Sequence, residues 1–196
     1  MNMWFHRVFT FLLVFVTGLT LSVDAQNKPA PSPVPQQKIE PPVRLPKDLV
    51  DFFCGEWSGA GEFANGKKIE ADAAFMPSLD DQWLVYRHAD HAPGIYKAQG
   101  MWGYEYTSKT FVMILNDNFG GLRLFTSKGW VDGKLIFLKS DSLKLQTDAG
   151  PSPPPSRQER FTFERQGDQS FKMTYETSTK GTEWRMSDYL VFKKGS

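Results

Sequence analysis

The stretch Gly55-Glu56-Trp57-Ser58-Gly59-Ala60-Gly61 decides the fold, because it opens a run of short strand-like segments that continues to the last residues of the chain. Working outward from this G-x-W step, turn signals recur roughly every eight to twelve residues, as in an all-β protein. Asn65-Gly66, Asp132-Gly133 and Gly167-Asp168 are the strongest, since Gly and Asn accept the positive φ of tight hairpins. Between them lie candidate strands over 56–63, 67–75, 82–89, 95–106, 110–117, 122–130, 134–141, 157–165, 170–177 and 182–193. About ten short antiparallel strands without a long helix predict an all-β fold, a closed barrel or a sandwich. The long interruption, Thr147 to Ser156 (TDAGPSPPPS), reads as a proline-rich loop at a barrel rim.

Upstream of the first strand, Pro46-Lys47-Asp48-Leu49-Val50-Asp51-Phe52-Phe53 puts proline in front of apolar residues three or four apart. This predicts one or two helical turns, short enough to plug or lid a barrel end. Residues 27–46 (NKPAPSPVPQQKIEPPVRLP) are too dense in proline for a helix or central strand and suit a semi-extended linker. Before them, Arg7, an apolar run from Val8 to Leu21 and the small residues around Val23-Asp24-Ala25 fit a secretory signal peptide. The apolar run is short for a membrane span, and no second one follows. The chain is therefore divided into a signal peptide (1–25), a linker (26–46) and a barrel domain (47–196). A periplasmic or extracellular protein is expected, with no membrane span in the mature chain.

Loss of Arg7 with Asp24 leaves the formal net charge at +1, which argues against nucleic acid as a partner. The single cysteine, Cys54, excludes an internal disulfide framework and reads as a small buried apolar residue.

Alternation assigns the faces. Tyr96, Ala98, Gly100, Trp102, Tyr104 and Tyr106 share one face, opposite Lys97, Gln99 and Glu105. Phe161 and Phe163 oppose Arg160, Thr162 and Glu164; Phe171, Met173 and Tyr175 oppose Lys172, Thr174 and Glu176. An inner face rich in aromatics and methionine follows. Phe111 to Leu115 and Leu135 to Leu138 are apolar on both faces, and their outer faces are expected to be covered by the N-terminal segment or a second subunit, making a homodimer one option.

Four motifs carry a resemblance over residues 49–194: the opening G-x-W stretch; Gly100-Met101-Trp102-Gly103-Tyr104-Glu105; Asn116-Asp117-Asn118-Phe119-Gly120-Gly121; and Trp130-Val131-Asp132-Gly133-Lys134-Leu135. In this order and spacing the chain resembles a bacterial calycin-like domain family of unknown function, related in architecture to lipocalins and nitrobindins. The resemblance implies an antiparallel up-and-down β-barrel and no established reaction. It also implies that Trp57 packs at the closed barrel end beneath an arginine from a late strand, with Arg185 as candidate. Inward-facing Trp184, Met186, Leu190 and Phe192 would turn Arg185 outward unless a bulge intervenes. Nitrobindin-like relatives hold haem on a histidine in the C-terminal part of the domain. This chain has no histidine after His91, so haem would need His88 or His91, and no cofactor is expected.

His88-Ala89-Asp90-His91 is the densest group of possible metal ligands, yet residues three apart on a strand face opposite ways, and no third ligand is visible; no metal is expected. The third strand places either Arg87 or His88 inward above an apolar wall, and an inward Arg87 would suit an acidic head group. No spacing marks a nucleophile elbow, a zinc signature or a phosphate loop, so no catalytic residue is assigned. The expectation is an exported barrel that binds a small, mainly apolar ligand, with Trp102, Tyr104, Met113, Phe163, Met173 and Tyr175 as wall and Arg87 or His88 as anchor. A structural or interaction module of the envelope is the alternative, and a barrel enzyme comes third.

Overall fold

The computed structural model describes residues 43–140 and 157–195. The signal peptide, the linker through residue 42 and the loop over 147–156 lie outside the described residues. A short helix, α1 (Lys47–Phe53), precedes eleven strands: β1 (Gly55–Phe63), β2 (Lys68–Ser78), β3 (Trp83–Asp90), β4 (Lys97–Glu105), β5 (Thr110–Asp117), β6 (Leu122–Ser127), β7 (Trp130–Val131), β8 (Lys134–Ser140), β9 (Gln158–Arg165), β10 (Ser170–Ser178) and β11 (Arg185–Lys194). Apart from β6 and β7, each pairs antiparallel with its chain neighbour; β1 pairs with β11, and β6 reaches past β7 to pair with β8. The result is a closed, ten-stranded up-and-down barrel in which β7 continues β6 along β8.

The expected strand over 122–130 is therefore broken. Thr126 and Trp130 are four positions apart, but their partners Leu138 and Leu135 are only three apart, so one extra residue bulges between β6 and β7. Gly129, at φ +104°, supplies the backbone conformation this bend needs.

The opening motif makes the seam where the barrel closes. A Cβ on Gly61 would lie 1.8 Å from the Tyr189 carbonyl oxygen, and one on Gly59 would lie 2.6 Å from the Phe192 ring. Only glycine lets β1 come this close to β11.

One end of the barrel is filled by α1. Leu49, Phe52 and Phe53 are buried, and the Phe53 ring lies 5.0 to 5.5 Å from those of Phe75, Trp102, Trp130 and Phe171. The orphan carbonyls at the helix C-terminus are satisfied from the barrel: Trp57 Nε1 donates to the Phe53 carbonyl at 2.7 Å and Lys194 Nζ to that of Phe52 at 3.1 Å. Leu45 is also buried, so packing begins before the helix.

Arg185 has no part in this. Trp57 pairs with Lys194, at the far end of β11 from Arg185, and the Lys194 ammonium sits 5.2 Å from the Trp57 ring centroid. The cation over the tryptophan is thus a lysine from the last residues of β11. A bulge does occur on this strand: Tyr175 pairs with Asp188 but Glu176 with Met186, which leaves Ser187 as the extra residue. Beyond it Met186 is exposed rather than inward, and Arg185 is exposed as well.

The outer apolar residues divide in two. Val112 is buried beside Gly103, over which the Trp83 ring is folded so closely that a Cβ would meet it at 2.5 Å. Ile136 and Leu138 stand 42% and 44% exposed, so no described segment gives them the expected cover.

Candidate functional site

Opposite α1 the interior opens into a cavity of about 570 Å³. Its origin can be followed along each strand. Inward positions carry apolar side chains through the barrel's middle, and the same parity then runs into a charged or polar residue at the open end. On β3 the series is Leu84, Tyr86, His88, Asp90; on β5 it is Met113, Leu115, Asp117. Going outward, Phe125 gives way to Arg123, Phe137 to Lys139, Phe161 to Glu159 and Leu190 to Asp188. A polar collar on an apolar cup is the consequence.

Half of the collar is neutralised internally. Arg123 donates to Asp117 and Glu159, both at 2.8 Å, and to the Tyr96 hydroxyl at 3.0 Å. Glu159 also accepts from Lys139 at 2.6 Å and from the Tyr175 hydroxyl at 3.0 Å. Burial works against the Glu159 carboxylate, but the hydrogen bonds from Lys139 and Arg123 outweigh it and hold its pKa below the ordinary value. Asp117 has a second task. Its Oδ1 accepts from the backbone N–H groups of Phe119 and Gly121, shaping the turn that aims Arg123 inward.

The other half is built on β3 and β11. His88, 5% exposed, has Nδ1 3.2 Å from the Tyr86 hydroxyl and Nε2 2.9 Å from Asp90 Oδ1. The tautomer that serves both contacts donates from Nε2 to Asp90 and accepts the Tyr86 hydroxyl at Nδ1. Burial raises the Tyr86 pKa well above its ordinary value. Burial also pushes the Asp188 carboxyl up to about 6, with His88 opposing the rise and Asp90 adding to it. The Asp188 side chain makes no hydrogen bond or ion pair among the described residues.

The mouth is apolar. Ile95 and Phe119 line it and stand 66% and 67% exposed, and Phe119 stacks on Tyr96 with ring centroids 6.3 Å apart. Asn118 ties the two rim loops together, accepting from the Lys97 N–H and donating to the Ile95 carbonyl, each at 2.8 Å.

Among the expected ligand contacts, His88, Met113, Phe163, Met173 and Tyr175 line this cavity. Arg87 does not: it lies on the outer face and is exposed, because inward parity on β3 belongs to Tyr86 and His88. Trp102 is inward but belongs to the solid end, wedged between Phe53, Phe75 and Phe163, where its Nε1 has no hydrogen-bond partner. Tyr104 packs edge-on against Phe111, likewise away from the cavity. Sequence reading places Asp90 only among possible metal ligands and leaves out Tyr86, Arg123, Glu159 and Asp188 as cavity residues. The signal was there, since each shares the parity of an inward apolar row.

The two histidines part company. His91 turns out of the barrel to Asp72, 2.9 Å away, so no shared ligand site forms. Nor does the chain fit an iron-bound haem of the nitrobindin kind: Tyr86 and Asp90 occupy both nitrogens of His88, and His91 is committed to the outer face. Among the described residues, no group of three or more His, Cys, Asp or Glu side chains is placed to hold a metal ion.

No protein-family model matches the chain, and no curated protein matches it. Among solved structures it is similar to Rv2717c from M. tuberculosis, with a TM-score of 0.50 and 11% identity, over 78% of this chain and 99% of that one. A de novo designed fluorescence-activating β-barrel is similar with a TM-score of 0.41 and 10% identity, over 76% of this chain and 98% of that one. At such identities the likeness to the M. tuberculosis protein speaks for the barrel fold alone.

Proposed function

We propose that this is an exported, calycin-like carrier that holds a small, mainly apolar ligand in the open end of its barrel. The observation that carries the reading is the cavity of about 570 Å³, walled by Met113, Leu115, Phe161, Phe163, Met173 and Leu190 beneath a mouth with exposed Ile95 and Phe119. Its size and its mixture of apolar wall with few polar groups suit a small molecule. Native mass spectrometry of the protein isolated from its own compartment tests this. A discrete mass excess that disappears on denaturation is expected; a bare mass, together with failure to take up any apolar probe, would sink the idea.

A second reading rests on the outside. Met76, Val85, Met101, Ile114 and Leu124 are cross-strand partners in one row over β2 to β6, all on the outer face. Such a row favours an envelope interaction module, with a second copy of the chain as its partner. Sedimentation analysis distinguishes it: a strict monomer at all concentrations removes this reading and leaves the carrier untouched.

A further inference from the structure

On the Asp188 side the cavity presents hydrogen-bond acceptors, whereas on the Arg123 side the Tyr96 hydroxyl accepts from Arg123 and keeps its own hydrogen for a guest. The Tyr86 hydroxyl hydrogen is spent on His88 and the Tyr175 hydroxyl hydrogen on Glu159, so both oxygens keep only lone pairs for a guest. His88 has no nitrogen to spare. Asp188 lines the wall on β11 with both carboxylate oxygens unused, and its neighbourhood holds a second acid, Asp90.

Two cations also line the cavity, Arg123 and Lys67. Arg123 and Lys139 are held by Asp117 and Glu159 on the far side of the collar, and Lys67 reaches the cavity from the exposed β1–β2 turn. The Nε–H of Arg123 is buried without a partner and can donate to a neutral oxygen, but the guanidinium charge is already matched by two carboxylates. An anionic guest would therefore meet Asp188 unpaired, whereas a cation would give it the partner it lacks.

We propose that the ligand of this cavity is an apolar amine, its ammonium group on the Asp188 carboxylate with the Tyr86 oxygen in support, and its hydrocarbon body among Met113, Phe161, Phe163 and Met173. The inference rests on the carrier reading and reverses the polarity expected from Arg87. The aromatic wall adds to it, because tyrosine and phenylalanine faces attract a cation as well as an apolar body.

The test uses three fluorescent probes with one aromatic body, 1-pyrenemethylamine, 1-pyrenemethanol and 1-pyreneacetate, titrated into the full chain at pH 8. The amine is expected to bind at least about tenfold more tightly than the alcohol, as a hydrogen bond to a charged group allows, and the acetate more weakly than either. In Asp188→Asn the advantage of the amine over the alcohol should vanish. Equal binding of all three, or an amine preference that survives Asp188→Asn, overturns the inference and leaves the carrier standing. Failure of every probe to bind the wild-type chain overturns both.

Discussion

The two ends of the barrel are made from the same strands and the same inward rows, yet one end is solid and the other hollow. At the closed end, Phe52 and Phe53 of α1 fill the space between the rows, and polar atoms are few. At the open end no described element enters. The rows finish instead in Asp90, Asp117, Arg123, Lys139, Glu159 and Asp188, whose side chains face inward because parity leaves them no other direction. Apolar rows collapse onto whatever can fill the gap, and charged rows hold one another at hydrogen-bonding distance. The difference separates stability from binding within one small fold.

Six substitutions probe that contrast, beginning with the largest effect. Phe53→Ala removes the centre of the plug, and unfolding in denaturant should show a loss of about 3–5 kcal/mol. Met113→Ala, which enlarges an existing cavity, should cost clearly less and change probe binding instead. Similar losses from the two would mean that the ends do not differ.

Glu159→Gln comes next. It leaves Arg123 and Lys139 short of a buried carboxylate and should cost about 3 kcal/mol at neutral pH. Since the folded-state pKa of Glu159 is lowered, its contribution is present above the unfolded value and is lost as pH falls through the folded one. The gap between wild type and variant should therefore narrow in acid. A gap independent of pH would show that the charge plays no part.

Asp188→Asn has the opposite sign. The folded-state pKa is raised from 3.8 to about 6, so the native state holds its proton longer than the unfolded chain, and the carboxylate weakens the fold above that range. His88 and Asp90 from β3, Tyr175 beside it on β10 and Lys67 on the β1–β2 turn are the groups around it. The variant should be more stable than wild type by about 2 kcal/mol at pH 8, with the gain absent below about pH 4. A destabilised variant would indicate a partner for Asp188 within the apo protein.

The smallest effect belongs to Lys194→Met. It keeps the stem but removes the ammonium from the Trp57 ring and the Phe52 carbonyl, and a loss of about 1 kcal/mol is expected in thermal unfolding. Arg185→Met should change nothing, which checks that the lysine is the cation of the closed end.

Much of this was legible in the chain itself. Hairpin signals and period-two alternation gave the strands, and the proline-led Leu49–Phe53 segment gave the plug, since both depend on neighbours along the chain. The same alternation places Asp188 with Leu190 and Phe192, and Glu159 with Phe161, because charged residues follow the inward rows as aromatic ones do. The bulges were not legible. Where Ser187 and the Gly129 bend interrupt parity depends on how β10 and β8 accept their neighbours, and no local pattern states it.

The sequence by itself determined an all-β chain of alternating strands with an aromatic inner face, because backbone period and side-chain polarity are properties of adjacent residues. Only the tertiary structure decided which of those aromatics are core and which are wall. Trp102 and Phe163 share the same parity, and their rings lie 4.7 Å apart, but only Phe163 reaches the cavity. Height along the barrel axis separates them, and that height is set by how far α1 penetrates and by the register between strands distant in the chain. The pairing of Trp57 with Lys194 rather than Arg185 has the same origin: antiparallel register carries the two candidates to opposite ends of one strand.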